Sequence, residues 1–417
     1  MHCAVNLIHR PGGVVISLVV ILAAGGIGPA RADEKRDARA IKPFRIAVDA
    51  AALRDLKERL ARTRFPDQIE GAGWDYGVEL SYMKELVSYW RDKYDWRAQE
   101  RKLNQLPQFT TEIDGLPIHF IHQRSKEKNA LPLVIIHGWP GSFYEFHKII
   151  GPLTDPVAHG GKAEDAFHVV CPSLPGFGFS GKPRTRGWSV SRMSDVVAQL
   201  MDRLGYTRYG AQGGDWGAGV ATWLGSYDSK HVVGVHLNFP SGAPPTRGDP
   251  WTGVTAEERK RYEKRRDELQ THRAYAAIQG TRPQTLGYAL NDSPAGLAAW
   301  VVDKFWAWSD HGGNLERSFS KDELLTNIMI YWVTETPPSA ARIYFEQQFH
   351  TGGRKAGRVP VGVALFPKEI NIPPRKWAEE RYNLVHWTAM PRGGHFAALE
   401  EPALLVEDIR KFYRKLR

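Results

Sequence analysis

Gly213-Gly214-Asp215-Trp216-Gly217 is the stretch on which the reading of this 417-residue chain turns. Tyr209-Gly210-Ala211-Gln212 before it has the look of the end of a short buried strand. Ala218-Gly219-Val220-Ala221-Thr222-Trp223-Leu224 after it has the pattern of a helix with small residues near its start. A glycine two positions either side of one reactive residue lets the backbone turn sharply and lets strand and helix approach closely. Strand, tight turn and helix in this order make a nucleophile elbow. The elbow residue is Asp, whose carboxylate is ionised at neutral pH and needs no base to act as a nucleophile. It would attack an alkylating carbon and leave an ester for water to cleave. The elbow alone also fits a buried turn aspartate that caps the helix.

Working outward, Leu133 to Ile136 and Val169 to Cys171 precede the elbow as apolar strands, and Val232 to Leu237 follows it. Ser191 to Leu204 is an amphipathic helix between two of them. From Ser241 the alternation stops, and helical patterns run over Glu257 to Gln279, Ala295 to Trp308 and Leu324 to Phe349. Strand patterns resume at Val361 to Phe366 and Leu384 to Thr388, before a last helix from Ala403 to Leu416. Parallel strands with helices between them, split by a helical insertion, predict an α/β, doubly wound, mostly parallel sheet with an inserted cap: the α/β-hydrolase fold. The expected division is a signal over 1–32, an N-terminal segment over 33–125 that packs on the core, core halves over 126–240 and 356–417, and a helical cap over 241–355.

The N-terminal segment has no catalytic pattern of its own. Asp49 can cap a helix with Leu53, Leu56 and Leu60 on one stripe, and a second helix is expected from about Leu80 to Lys93. Asp114-Gly115 between apolar runs marks a hairpin. His119 and His122, three apart on a strand, point to opposite faces and make no shared metal site. Gly176-Phe177-Gly178-Phe179-Ser180-Gly181 matches a dinucleotide fingerprint as a string. Prolines separate it from the strand and Lys182-Pro183 follows, so it is read as a loop.

Composition sets the remaining bounds. The formal charge is +10, but the basic residues are mixed with acids. The run Glu257 to Arg266 is read as the wet face of a helix and not as a nucleic-acid patch. Cys3 and Cys171 are the only cysteines, which excludes a disulfide framework and a Cys-type metal site. At the N-terminus, His9 and Arg10 precede the apolar run Val14 to Ala24, and Ala30-Arg31-Ala32 forms a small-x-small site before Asp33. This predicts export to the periplasm or the exterior after cleavage, with a retained N-terminal anchor as the alternative and no stable membrane partner otherwise.

In such a fold the nucleophile is followed by an acid and then a histidine. His395, in Arg392-Gly393-Gly394-His395-Phe396, lies on the loop between the last strand and the last helix. Glu369 follows the preceding strand, whereas the earlier acid slot holds the uncharged Asn238. Glu400 and Glu401 come after the histidine and fit poorly. His137-Gly138-Trp139-Pro140 occupies the loop that builds an oxyanion hole, with the amides of Trp139 and Trp216 as its donors.

These motifs resemble the epoxide hydrolases of the microsomal type over nearly all of the chain after the signal. The resemblance is carried in front by Pro43-Phe44, Trp74-Asp75-Tyr76-Gly77, Tyr94-Asp95-Trp96-Arg97 and Pro107-Gln108-Phe109. In the core it is carried by His137 to Ser142, Gly213 to Gly217 and Arg392 to Phe396, and in the cap by Ala289 to Pro294. It implies two cap tyrosines that donate protons to the epoxide oxygen; the matching positions are Tyr275 and Tyr344. It further implies a small hydrophobic epoxide and water as reactants, no metal or cofactor, and a vicinal diol as product. A haloalkane-type dehalogenase would use the same Asp-His-acid chemistry with halide donors in place of the phenols. A non-catalytic binding protein on the same fold is the third reading.

Overall fold

The computed structural model describes residues 39–349 and 359–417. The export signal expected over 1–32 lies outside the described residues. Among the described residues no helix is long and apolar enough to cross a membrane.

The described residues open with β1 (Lys42–Phe44), α1 (Ala50–Ala61), α2 (Leu80–Asp92) and α3 (Trp96–Leu103), then β2 (Gln108–Ile113) and β3 (Leu116–Gln123). The Asp49 carboxylate accepts from Ala51 N at the start of α1, whose Leu56 and Leu60 are buried. The hairpin expected at Asp114-Gly115 is formed, with φ of 52° and 74° at the two turn residues. His119 and His122 diverge as their spacing requires. His119 is held between Gln108 and Ser173, and His122 meets the Tyr206 hydroxyl.

The core continues with β4 (Leu131–Ile136), α4 (Ile150–Thr154), β5 (Phe167–Pro172), α5 (Val190–Arg203), β6 (Tyr209–Gly213), α6 (Asp215–Tyr227) and β7 (Val232–Leu237). After the cap come β8 (Val361–Leu365), α13 (Arg375–Glu379), β9 (Leu384–Ala389), α14 (Ala397–Glu400) and α15 (Pro402–Tyr413). One nine-stranded sheet runs β1-β2-β3-β5-β4-β6-β7-β8-β9. The strands from β5 to β9 are parallel, and β1 to β3 extend the sheet in antiparallel fashion. Strands β5, β6 and β8 are buried along their whole length, as expected of parallel strands covered on both faces. This is the predicted α/β-hydrolase architecture.

The cap holds α7 (Ala256–Glu268), α8 (Ala274–Thr281), α9 (Pro283–Asp292), α10 (Pro294–Trp308), α11 (Lys321–Thr334) and α12 (Pro337–Phe349). The continuous helix expected over Leu324 to Phe349 is two helices. Glu335 takes a left-handed φ of 52°, and Pro337-Pro338 cannot supply helical N–H donors. Helix α9 was not anticipated; its signal is Pro283 at the first helical position.

The N-terminal segment does more than lie on the core. Its three strands complete the sheet, and its helices grip the cap. The Trp74 ring stacks on Trp306 with centroids 3.8 Å apart and planes 3° apart. Trp90 donates to the Met329 sulfur, and the Tyr94 and Thr326 hydroxyls are 2.9 Å apart. The N-terminal segment therefore clamps the cap through contacts from outside the cap's own sequence.

Candidate active site

Asp215 stands at the junction of β6 and α6 with φ of 48°, one of three non-glycine residues with positive φ among those described. A side chain held in the left-handed region costs of order 1 kcal/mol and persists only where surrounding structure over-determines it. Here the surroundings are backbone. A Cβ on Gly217 would come within 2.0 Å of the Ile136 carbonyl oxygen. Helix α6 can start this close to β4 only because Gly217 has no side chain. The helix cap is Gly214, so Asp215 is not spent on capping.

The carboxylate is held on both sides. Trp139 N donates to Asp215 Oδ1 at 2.8 Å, and His395 Nε2 lies 3.5 Å from Oδ2. The Trp139 amide thus points at the elbow carboxylate. Trp216 N belongs to the first turn of α6, where no helical carbonyl precedes it. Gly138 makes room for the nucleophile: a Cβ there would stand 2.1 Å from Asp215 Oδ1. His137 is structural. Its Nε2 accepts from Leu174 N, so Nδ1 carries the proton toward the Gly138 carbonyl. Burial pushes its pKa down to about 4, and it stays neutral.

Glu369 and His395 meet as the chain order predicts. His395 Nδ1 and Glu369 Oε1 are 2.6 Å apart, and both side chains are buried. Glu369 Oε1 also accepts from Ile370 N, while Oε2 is buried without a hydrogen-bond partner. The His395 backbone N donates to the Trp308 carbonyl at the end of α10, which fixes the loop. Burial alone would push the His395 pKa down. The Glu369 and Asp215 carboxylates outweigh it and hold the imidazole well above the usual histidine value. Asn238 instead accepts from Gln212 beside the elbow, and Glu400 accepts from the backbone of Asp310 and Phe396.

Tyr275 from α8 and Tyr344 from α12 face this group from the cap. Tyr275 stacks on Trp139 with centroids 5.1 Å apart, and Tyr344 meets Trp216 edge-on at 4.8 Å. Burial raises both phenol pKa values, and the Asp215 charge adds to the effect, so both keep their protons at neutral pH. Trp308 and Phe239 stand edge-on to His395 at 5.1 and 5.7 Å and complete an aromatic wall. The site thus offers a largely shielded carboxylate, a base oriented by an acid, and two neutral hydroxyls from the cap.

All seven predicted residues converge here. The sequence reading missed the wall residues Phe239 and Trp308, and it missed Lys304, a buried cation paired with Asp303 and 4.7 Å from the Tyr275 ring centre. It also missed Arg265. The basic run was read as a wet helix face, but the Arg265 side chain is buried and turned toward Glu369. Its register on α7, opposite the exposed charges, is the one signal that could have found it.

Comparisons with known proteins extend over most of the chain. The family model described as epoxide hydrolase N terminus matches residues 41–146, and the α/β-hydrolase fold model matches residues 132–268. A Stigmatella aurantiaca protein is 50% identical over 381 residues, covering 90% of this chain and 86% of the relative. Epoxide hydrolase 1 of Sus scrofa is 40% identical over 421 residues, covering 94% and 93%. The solved epoxide hydrolase of Aspergillus niger superposes with a TM-score of 0.82 at 34% identity, over 91% of this chain and 97% of that one. The juvenile hormone epoxide hydrolase of Bombyx mori gives 0.83 at 31%, over 94% and 97%. With relatives 50% and 40% identical over 90% and 94% of its length, the chain belongs to the epoxide hydrolase family.

Proposed function

We propose that this protein hydrolyses a small hydrophobic epoxide to a vicinal diol in two steps, through an ester on Asp215. In the first step Asp215 Oδ2 attacks an epoxide carbon and the carbon–oxygen bond of the ring breaks. Tyr275 and Tyr344 hydrogen-bond the departing oxygen and supply its proton. In the second step His395 Nε2 takes a proton from water, and the hydroxide oxygen adds to Asp215 Cγ. Negative charge develops on Oδ1, toward the amides of Trp139 and Trp216. Collapse breaks the bond from Cγ to the diol oxygen, which takes the proton from His395. The new carboxyl group of Asp215 gives up its proton to restore the tyrosine that was deprotonated in the first step, and the carboxylate is regenerated.

The observation that carries this reading is one arrangement: Glu369 to His395 at 2.6 Å, His395 to Asp215 at 3.5 Å, and two cap phenols, the buried Tyr344 and the half-buried Tyr275, with ring centres 5.7 Å apart. A halide-releasing enzyme needs donors shaped for an ion, whereas paired phenols suit an oxygen that must be protonated. The test is to assay a panel of aromatic and aliphatic epoxides beside a haloalkane. Diol from the epoxides with no halide release supports the reading, and halide release without diol overturns it.

A further inference from the structure

Arg265 is the most connected charged side chain near the site that takes no part in the chemistry described above. It lies on the inward face of the cap helix α7, 6% exposed, within a run of charged residues that otherwise face solvent. Its guanidinium spends its donors mainly on backbone carbonyls. Nε donates to the Glu369 carbonyl at 2.9 Å, and one terminal nitrogen donates to the Lys368 carbonyl at 2.6 Å and the Ala307 carbonyl at 3.1 Å. The other terminal nitrogen meets Glu268 at 3.1 Å.

These contacts join the two halves of the acid–base pair. Lys368 and Glu369 are the turn that carries the acid. Ala307 precedes Trp308, whose carbonyl holds the His395 backbone N at 2.8 Å. One planar fork from the cap therefore fixes the acid's loop and the helix end on which the histidine's loop hangs. Three carbonyls converging on one buried cation need a rigid multi-donor group, which a lysine ammonium on a flexible stem cannot reproduce. The charge matters as well. Glu369 is buried with Oε2 unpaired, and Arg265 lies close enough to attract its carboxylate, so the cation offsets part of the cost of burying that anion.

We propose that Arg265 is a positioning residue for ester hydrolysis, holding Glu369 and His395 in register across the seam between cap and core. It does not touch Asp215 or the phenols, so alkylation does not depend on it. This inference rests on the reading of an ester on Asp215.

The test compares Arg265→Lys and Arg265→Met with the unaltered enzyme in single-turnover and steady-state assays on one styrene-type epoxide, with intact-protein mass spectrometry of quenched samples. Displacement of a base by about 1 Å can cost ~10²-fold, so ester hydrolysis should slow at least tenfold while alkylation keeps its rate. An adduct should then accumulate on the variants, and kcat and KM should fall together with kcat/KM nearly kept. Glu268→Gln, which leaves the carbonyl contacts in place, should stay within about twofold of the unaltered enzyme. A folded variant in which both steps slow alike, or in which no adduct builds up, overturns the proposal. So does Arg265→Lys turning over like the parent. Thermal melts run in parallel; if Arg265→Met does not fold, the lysine variant decides. His395→Gln serves as the control for the underlying reading: if it too traps no adduct, the ester mechanism fails and not merely the role of Arg265.

Discussion

The rings of Tyr275 and Tyr344 stand 5.7 Å apart with their planes at 80°, brought together from two separate cap helices. Tyr275 packs on Trp139 and Tyr344 on Trp216, so the phenols and Asp215 share one aromatic frame.

If both hydroxyls serve the epoxide oxygen, removing one should leave a slower enzyme and removing both should leave almost none. Tyr344→Phe is expected to slow alkylation by about 10²-fold, the usual worth of a positioned proton donor. The double change with Tyr275→Phe should yield no measurable adduct in a quenched-flow assay. Full activity of the double variant would discard the two-phenol assignment and reopen the dehalogenase reading.

The separation of Asp215 from His395 at 3.5 Å predicts that the two steps can be uncoupled. In His395→Gln the nucleophile and phenols remain, so alkylation proceeds and hydrolysis stalls. Mass spectrometry after exposure to an epoxide should find about one adduct per protein, mapping to Asp215, without steady diol release. Asp215→Ala should form neither adduct nor diol. Normal turnover by His395→Gln, or a label on another residue, would refute the mechanism.

The His395 pKa follows from its two carboxylate neighbours, and one of them changes during the cycle. In the proposed cycle Asp215 passes from a carboxylate to an uncharged ester. The imidazole therefore loses part of what raises its pKa when it must act as a base. The acid limb of single-turnover ester hydrolysis should lie at lower pH than the His395 titration seen by NMR in the free enzyme. Coincidence of the two would mean that Asp215 contributes nothing to the shift. The same raised pKa has a stability consequence. The folded state binds this proton more tightly than the unfolded chain, so the stabilisation is full below about pH 6.5. It is lost as pH rises through the folded value, a trend that a melting series against His395→Gln should reveal.

Export is tested on the protein itself. The apolar run Val14 to Ala24 and the Ala30-Arg31-Ala32 site lead to a mature chain that starts at Asp33. N-terminal sequencing of the protein recovered from the periplasm or medium should begin there. An intact Met1 in a membrane fraction would favour the anchor.

The sequence by itself determined the elbow, the order Asp215, Glu369, His395, and the doubly wound core, because each depends on local pattern. Glycines around a turn, apolar strands and loop positions at strand ends are set within a few residues of one another. It also named both tyrosines, though through resemblance, since nothing in Ala274-Tyr275-Ala276 or Ile343-Tyr344-Phe345 marks a proton donor. The helix break at Pro337-Pro338 was also legible, because two prolines cannot supply helical N–H donors, but the sequence reading missed it. Only the tertiary structure decided that the N-terminal segment clamps the cap through Trp74 and Trp90, and that Arg265 is buried. The reason is common to both. A helix pattern tells which residues share a face, but the partner that covers that face comes from a distant part of the chain. The three carbonyls that take up the Arg265 guanidinium exist as one target only after cap and core have closed on each other.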